Sequence, residues 1–136
     1  MARVTGAKAH AARLRRLSGP DMTRRVGAAL FAGGQAIQIE AQLSITNGAV
    51  SGKHHLPSRP GEPPNQDTGV LANNIETTLV APLVVHVSSN APYAAALEYG
   101  TSKMAPRPYM APAVAKKRKE VTQLIRRAVA AVTKGA

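Results

Sequence analysis

Proline fences this chain. Four of its ten prolines fall between residues 47 and 68, and four more between 92 and 112. Proline lacks an amide donor and its ring clashes with the preceding helical turn, so neither stretch carries a long helix through it. Long helices are left the spans 20–46 and 111–133, and the apolar spacing agrees. Met22, Val26, Leu30, Gly33, Ile37, Ala41 and Ile45 recur every three or four residues, which makes one face of a helix of roughly 25 residues. Ser18 and Asp21 have the spacing of a capping box, and Pro20 fits a first turn. Asn47-Gly48 predicts a left-handed stop. Gly33-Gly34 in mid-helix costs about 1 kcal/mol per glycine against alanine, so either the helix bends there or another chain segment comes close. In the last span Val114, Val121, Leu124, Ile125, Ala128, Val129 and Val132 line one face, and Pro112 suits the first turn.

The remaining segments follow from the same chemistry. Residues 1–19 predict a short basic helix capped by Thr5, with a weak apolar stripe from Ala9, Ala12, Leu14 and Leu17. Residues 47–68 read as an extended Pro/Gly-rich loop, and a loop of about 20 residues is usually functional or ordered by a partner. Asp67 or Thr68 is placed to cap a helical turn over 69–73. Ile75–Val80 and Leu83–Ser88 both alternate and are joined at Ala81-Pro82, which predicts an antiparallel hairpin. A short helix or turn over Tyr93 to Tyr99 ends at Gly100, and 101–110 is loop. The expected fold is α+β: long helices at both ends packed on a small antiparallel β-sheet, with a long Pro-rich loop, in one domain over 1–136.

Enzyme chemistry finds no foothold. There is no cysteine, which excludes disulfides, thiolate metal sites and a cysteine nucleophile. No glycine-rich phosphate loop, H-E-x-x-H or G-x-S-x-G pattern occurs. His54-His55 on an extended segment point to opposite sides, so they read as solvated loop residues and not as a metal pair. His86 reads as a half-exposed strand residue, and the scattered acids form no pair for acid–base work. No cofactor or metal is expected, and no apolar run approaches the ~20 residues of a membrane span. The chain is expected to be soluble and intracellular when made.

Charge is the stronger signal. Lys and Arg number 18 against 7 acids, a net charge of +11, and the excess sits at the two ends. Arg3, Lys8, Arg13, Arg15, Arg16, Arg24 and Arg25 precede residue 28 against Asp21 alone. Lys116, Lys117, Arg118, Lys119, Arg126, Arg127 and Lys134 follow residue 110 against Glu120. These runs admit two readings: salt-dependent contact with nucleic-acid phosphates, or a solvated helix face whose long stems cover apolar neighbours. No aromatic residue is interleaved with them, so base reading is not expected.

The stretch from Pro92 to Pro112 gathers Tyr93, Tyr99 and Tyr109, three of the four aromatic residues. The tyrosines either fill the core between sheet and last helix or form a contact surface. Arg107 is held extended by Pro106 and Pro108, with Glu98 as a candidate partner. An aimed guanidinium and phenols beside a proline clamp suit a subunit interface.

Two segments carry a resemblance. The run PSRPGEPPNQDTGVLANNI contains Asp67, Thr68, Gly69 and Leu71. The run PYAAALEYGTSKMAPRPYMAPAV contains Tyr93, Glu98, Tyr99, Gly100, Thr101, Arg107, Pro108, Tyr109 and Pro112. In order and spacing, over about residues 20–132, the chain resembles the neck or tail-completion proteins of long-tailed phages, the HK97 gene-product-ten-like family. It departs from that pattern in having tyrosine where phenylalanine is common, and Ala111 where an arginine often stands.

The resemblance implies a non-enzymatic virion protein, made in the host cytoplasm and placed at the neck. It implies a homo-oligomeric ring, six- or twelve-fold, between head-side connector or stopper proteins and the tail terminator or tail tube. Interface residues would then be Tyr93, Glu98, Tyr99, Arg107, Tyr109, Arg59 and Asp67. Lys116, Lys117, Lys119, Arg126 and Arg127 would face the DNA channel, with sequence-independent contact to passing DNA and no membrane. Two other readings stand beside it: a tail-terminator ring capping the tail tube, and a small basic protein that binds nucleic acid without sequence preference.

Overall fold

Two long helices carry the structure, a computed structural model that describes residues 4–47, 57–64 and 69–134. Helix α1 (Ala7–Leu17) leads into the 27-residue α2 (Pro20–Thr46). A short α3 (Val70–Asn73) precedes strands β1 (Ile75–Ala81) and β2 (Val84–Ser89). Helix α4 (Ala94–Tyr99) and the 24-residue α5 (Met110–Thr133) complete the chain. The α+β class is as expected from the sequence. Helices α2 and α5 run antiparallel: Lys116 Nζ lies 3.0 Å from Glu40 Oε1, while Val121 faces Gly33.

The glycines of α2 set how closely its neighbours approach. A Cβ on Gly33 would stand 3.0 Å from both methyls of Val121 on α5, and one on Gly34 would stand 2.7 Å from Thr77 Cγ2 and 2.9 Å from Val85 Cγ1. One turn pair earlier, a Cβ on Gly27 would meet the Pro82 carbonyl oxygen at 2.7 Å. Close approach is therefore the reason for the glycine pair, and the helix runs through it uninterrupted. Gly27 and Gly34, seven residues apart on one face, let the hairpin lie flat on α2.

In the hairpin Ile75 pairs with Ser89, Thr77 with Val87 and Leu79 with Val85. The register shifts between Leu79 and Ala81, so the turn is Pro82-Leu83, one residue beyond the connection expected. Thr77, Val85 and Val87 face α2, whereas Glu76, Thr78, His86 and Ser88 are exposed. Two glutamines one turn apart on α2 tie down what lies over them. Gln38 accepts a 2.7 Å hydrogen bond from Thr77 Oγ1, and Gln42 Nε2 donates to the Ala72 carbonyl at 3.0 Å.

Several helix ends differ from the sequence expectation. The residue preceding α1 is Gly6 in the left-handed region, not Thr5. Ser18 does not cap α2: its hydroxyl donates back to Leu14 O at 3.0 Å, and Gly19 takes the cap position. Asp21 bonds Arg24 and Arg25 instead, which holds its carboxyl below the usual carboxylate range, the Arg24 bond contributing most. Asn47 is extended, at φ −62° and ψ 122°, so the left-handed stop expected there is absent at Asn47. Most of the Pro-rich loop, with His54, His55, Asp67 and Thr68, lies outside the described residues.

The core sits at one end of the helix pair. Ala41 and Ile45 of α2, Leu71 and Ala72 of α3, Ile75, Ala91, Ala94, Tyr109 and Ala113 form one buried cluster, with Ile37, Val87, Leu97 and Met110 against it. Ile45 is its largest fully buried side chain. Alanines make up much of the rest, so helices rather than bulky side chains fill the space.

Candidate functional site

Over this core, residues 93–112 form a joint that binds a short helix, a tight turn and the start of α5 together. Helix α4 ends at Gly100, whose φ of 76° and ψ of 176° lie outside what a side chain tolerates. A Cβ there would also meet Met104 O, Pro106 N and Pro106 Cδ, each at 2.9 Å. The chain then reverses: Thr101 N–H donates to Met104 O at 2.9 Å, and Met104 N–H donates back at 3.3 Å. Arg107 N–H returns to Leu97 O at 2.6 Å, which closes the loop onto α4.

The start of α5 lacks a local cap. Tyr109 occupies the cap position with no side-chain bond to the helix. Instead Glu98 reaches across from α4. Its Oε2 accepts the N–H of Tyr109 at 2.9 Å and of Met110 at 3.0 Å, and its Oε1 accepts that of Ala111 at 2.9 Å. A helix start leaves four amide donors without intrahelical partners. Proline has no donor at position 112, so the single carboxylate satisfies every remaining one. Its charge also opposes the positive end of the helix dipole.

That use of Glu98 revises the expected pairing with Arg107. The carboxylate is occupied by backbone donors, and no Arg107–Glu98 ion pair forms. Arg107 is half-buried, and its Nε finds no hydrogen-bond partner among the described residues. The three tyrosines separate clearly. Tyr109 is 2% exposed, Tyr93 43% and Tyr99 81%. Burial, with Glu98 nearby, pushes the Tyr109 phenol above its ordinary value. Tyr109 is thus a core residue, and Tyr99 is the aromatic surface of the joint.

Beside Tyr99 a groove of about 380 Å³ runs along the first turns of α5, floored by Met110 and Val114 and edged by Glu98 and Arg118. The Pro-rich segment 57–64 also touches this joint: Gly61 N–H donates to Pro106 O at 2.9 Å. Arg59 is exposed there, in a turn where Glu62 N–H donates to Arg59 O and the Glu62 carboxylate accepts Arg59 N–H. Ser58 and Pro64 are buried. Asp67 lies outside the described residues.

The basic candidates of α5 fall into two groups. Lys116 pairs with Glu40 at 3.0 Å and Lys117 with Glu120 at 3.3 Å, so part of their charge is answered locally. Lys119, Arg126 and Arg127 are exposed. Sequence reading missed a second groove, of about 580 Å³, between Phe31 and Gly27 of α2 and Leu79 and Pro82 of the hairpin. Phe31, the lone phenylalanine, lies four residues from Gly27, and that spacing was the available signal. Leu79, Val80, Leu83 and Val84 at the hairpin end are between 45% and 55% exposed.

The family model described as "Bacteriophage HK97-gp10, putative tail-component" matches residues 8–100, about two thirds of the chain and including α4. No curated protein matches, and no solved structure matches.

Proposed function

Because the chain belongs to the HK97-gp10-like family of bacteriophage tail components, we propose that its copies form a ring at the head–tail junction of a tailed-phage or phage-like particle. The ring is six- or twelve-fold and surrounds the DNA exit channel, with a neck or tail-completion role. The role is structural, without catalysis. Its neighbours are a connector or stopper on the head side, and the terminator or tube on the tail side. The protein is made in the host cytoplasm and carried in the virion.

One observation supports assembly above the others. Leu79, Val80, Leu83 and Val84 leave four apolar side chains about half-exposed at the turn end of a two-stranded sheet, where Leu79 also lines the Phe31 groove. Apolar side chains gathered at an exposed end in this way suit a contact surface. An apolar hairpin end and the groove beneath it suit repeated subunits, since a heterologous contact that closes makes a ring. The joint supplies a second surface through Tyr93, Tyr99, Arg107 and Arg59, and Glu98 and Tyr109 hold that surface in shape.

Removal of the gene from its particle tests this reading. The expected result is filled heads and complete tails that accumulate separately. Tails of uncontrolled length would instead mark a terminator ring, because an uncapped tube has nothing to stop its growth. Normal joined particles would refute both.

A further inference from the structure

The two basic ends of the sequence meet in space. Glu40 pairs with Lys116 and Gly33 faces Val121, so the start of α2 lies beside the end of α5. Helix α1 ends two residues before α2 begins and touches both α5 and α2. Its 11 residues span about 16 Å, which sets it against the C-terminal half of α5. Lys8, Arg13, Arg15 and Arg16 are thereby brought to the same end of the molecule as Arg126 and Arg127, all of them exposed. The acids Glu40, Glu62, Glu76 and Glu98 lie toward the other end, by the core cluster and the joint, and Glu120 sits midway along α5, paired with Lys117. Near the basic end stands Asp21, already bonded to Arg24 and Arg25.

Helix α1 has a second peculiarity. It carries no acid, buries none of its residues fully and forms no ion pair among the described residues. Its partly buried Ala12 and Leu17 lie on the side that meets α2 and α5, which leaves the cationic side chains on the solvent face without a carboxylate of their own helix to answer them. Its sequence holds four cations and a histidine in 11 residues, which describes a surface made for a polyanion.

We propose that α1 and the C-terminal half of α5 form one basic pole that binds the phosphate backbone of duplex DNA without reading its bases. No Phe, Tyr or Trp lies among these residues to stack on a base. The site also revises which part of α5 matters: Arg126 and Arg127 contribute, while Lys116 and Lys117 are engaged with carboxylates. The inference builds on a ring that encloses DNA, but the pole belongs to the isolated chain and is measured there.

The experiment titrates the full chain against a short labelled duplex by fluorescence anisotropy over a range of salt. Affinity should fall with salt on log–log axes by about 0.9 per phosphate contact. The pairs Arg13→Ala/Arg16→Ala and Arg126→Ala/Arg127→Ala should each flatten that slope by about two. Lys116→Ala/Lys117→Ala should leave it unchanged, as should the charge-keeping Arg126→Lys/Arg127→Lys. Circular dichroism should show helicity rising when duplex is added. Absence of duplex binding at low salt, or equal flattening by all three alanine pairs, would overturn the pole. Binding of poly-glutamate as tightly as duplex would overturn it in favour of an acidic protein surface. A ring found at the junction together with any of these results would leave the proposed function standing and remove this inference alone.

Discussion

Glu98 and Pro112 together account for the whole first turn of α5: the carboxylate takes the three amides of Tyr109, Met110 and Ala111, and the proline has none to offer. One side chain therefore sets where the last helix starts and how α4 is oriented against it. Glu98→Ala should destabilise the protein by about 2 kcal/mol, since three amides lose a charged acceptor. Glu98→Gln should fall between, keeping part of the bonding but not the charge. Chemical denaturation of the two variants measures both, and equal stability of parent and Glu98→Ala would contradict the capping role.

Gly34 sets helix propensity against packing. Alanine in mid-helix would gain about 1 kcal/mol, but its Cβ would meet Thr77 Cγ2 at 2.7 Å and Val85 Cγ1 at 2.9 Å. Overpacking of this sort typically costs about 1–3 kcal/mol, so Gly34→Ala should be net destabilising. Gly27→Ala should be worse, because its obstacle is the Pro82 carbonyl and not a side chain that can rotate. Thermal denaturation of the two variants should rank them in that order.

Tyr109 makes stability sensitive to alkali. Its phenol is raised in the folded state by burial, so the folded protein holds that proton more tightly than the unfolded chain does. Its contribution is complete below the unfolded tyrosine value of about 10. It is lost as pH climbs from there through the folded value. Tyr109→Phe should remove this part of the alkaline decline, leaving a shallower stability profile than the parent above pH about 10. Identical alkaline profiles would show that the phenol does not matter.

Tyr99 is 81% exposed, so its loss should barely touch the fold. Tyr99→Ala should shift stability by no more than about 0.5 kcal/mol. If the joint is a subunit surface, assembly should weaken by about 2 kcal/mol or more, as for an anchoring aromatic. Light scattering after size separation reads assembly, and the melting temperature reads the fold. Unchanged assembly would take Tyr99 out of the interface.

Local signals carried the helices and the hairpin, since apolar periods and proline breaks act within a few residues. The ends of the helices were less legible. Ser18 and Asp21 have capping-box spacing, yet the hydroxyl bonds backward to Leu14 and the carboxylate takes two arginines. The cap of α5 comes from 11 to 13 residues away, beyond any local pattern. Tyr99 and Tyr109 have similar proline- and glycine-marked surroundings in sequence, and only the docking of α4 and α5 on the core makes one exposed and the other buried. The charges of α1 and α5 were visible in the sequence, whereas their convergence depends on the antiparallel α2–α5 packing.

The proposed ring of this chain at the junction of head and tail is open to direct imaging. Averaged images of an intact particle, with the protein located by a fused tag, test it most directly. The expected image is a closed six- or twelve-fold ring of copies between the head connector and the tail tube, with the basic pole toward the channel. A particle in which the tag lies at the distal tail, or in which the protein is present without closed symmetry at the junction, would contradict it.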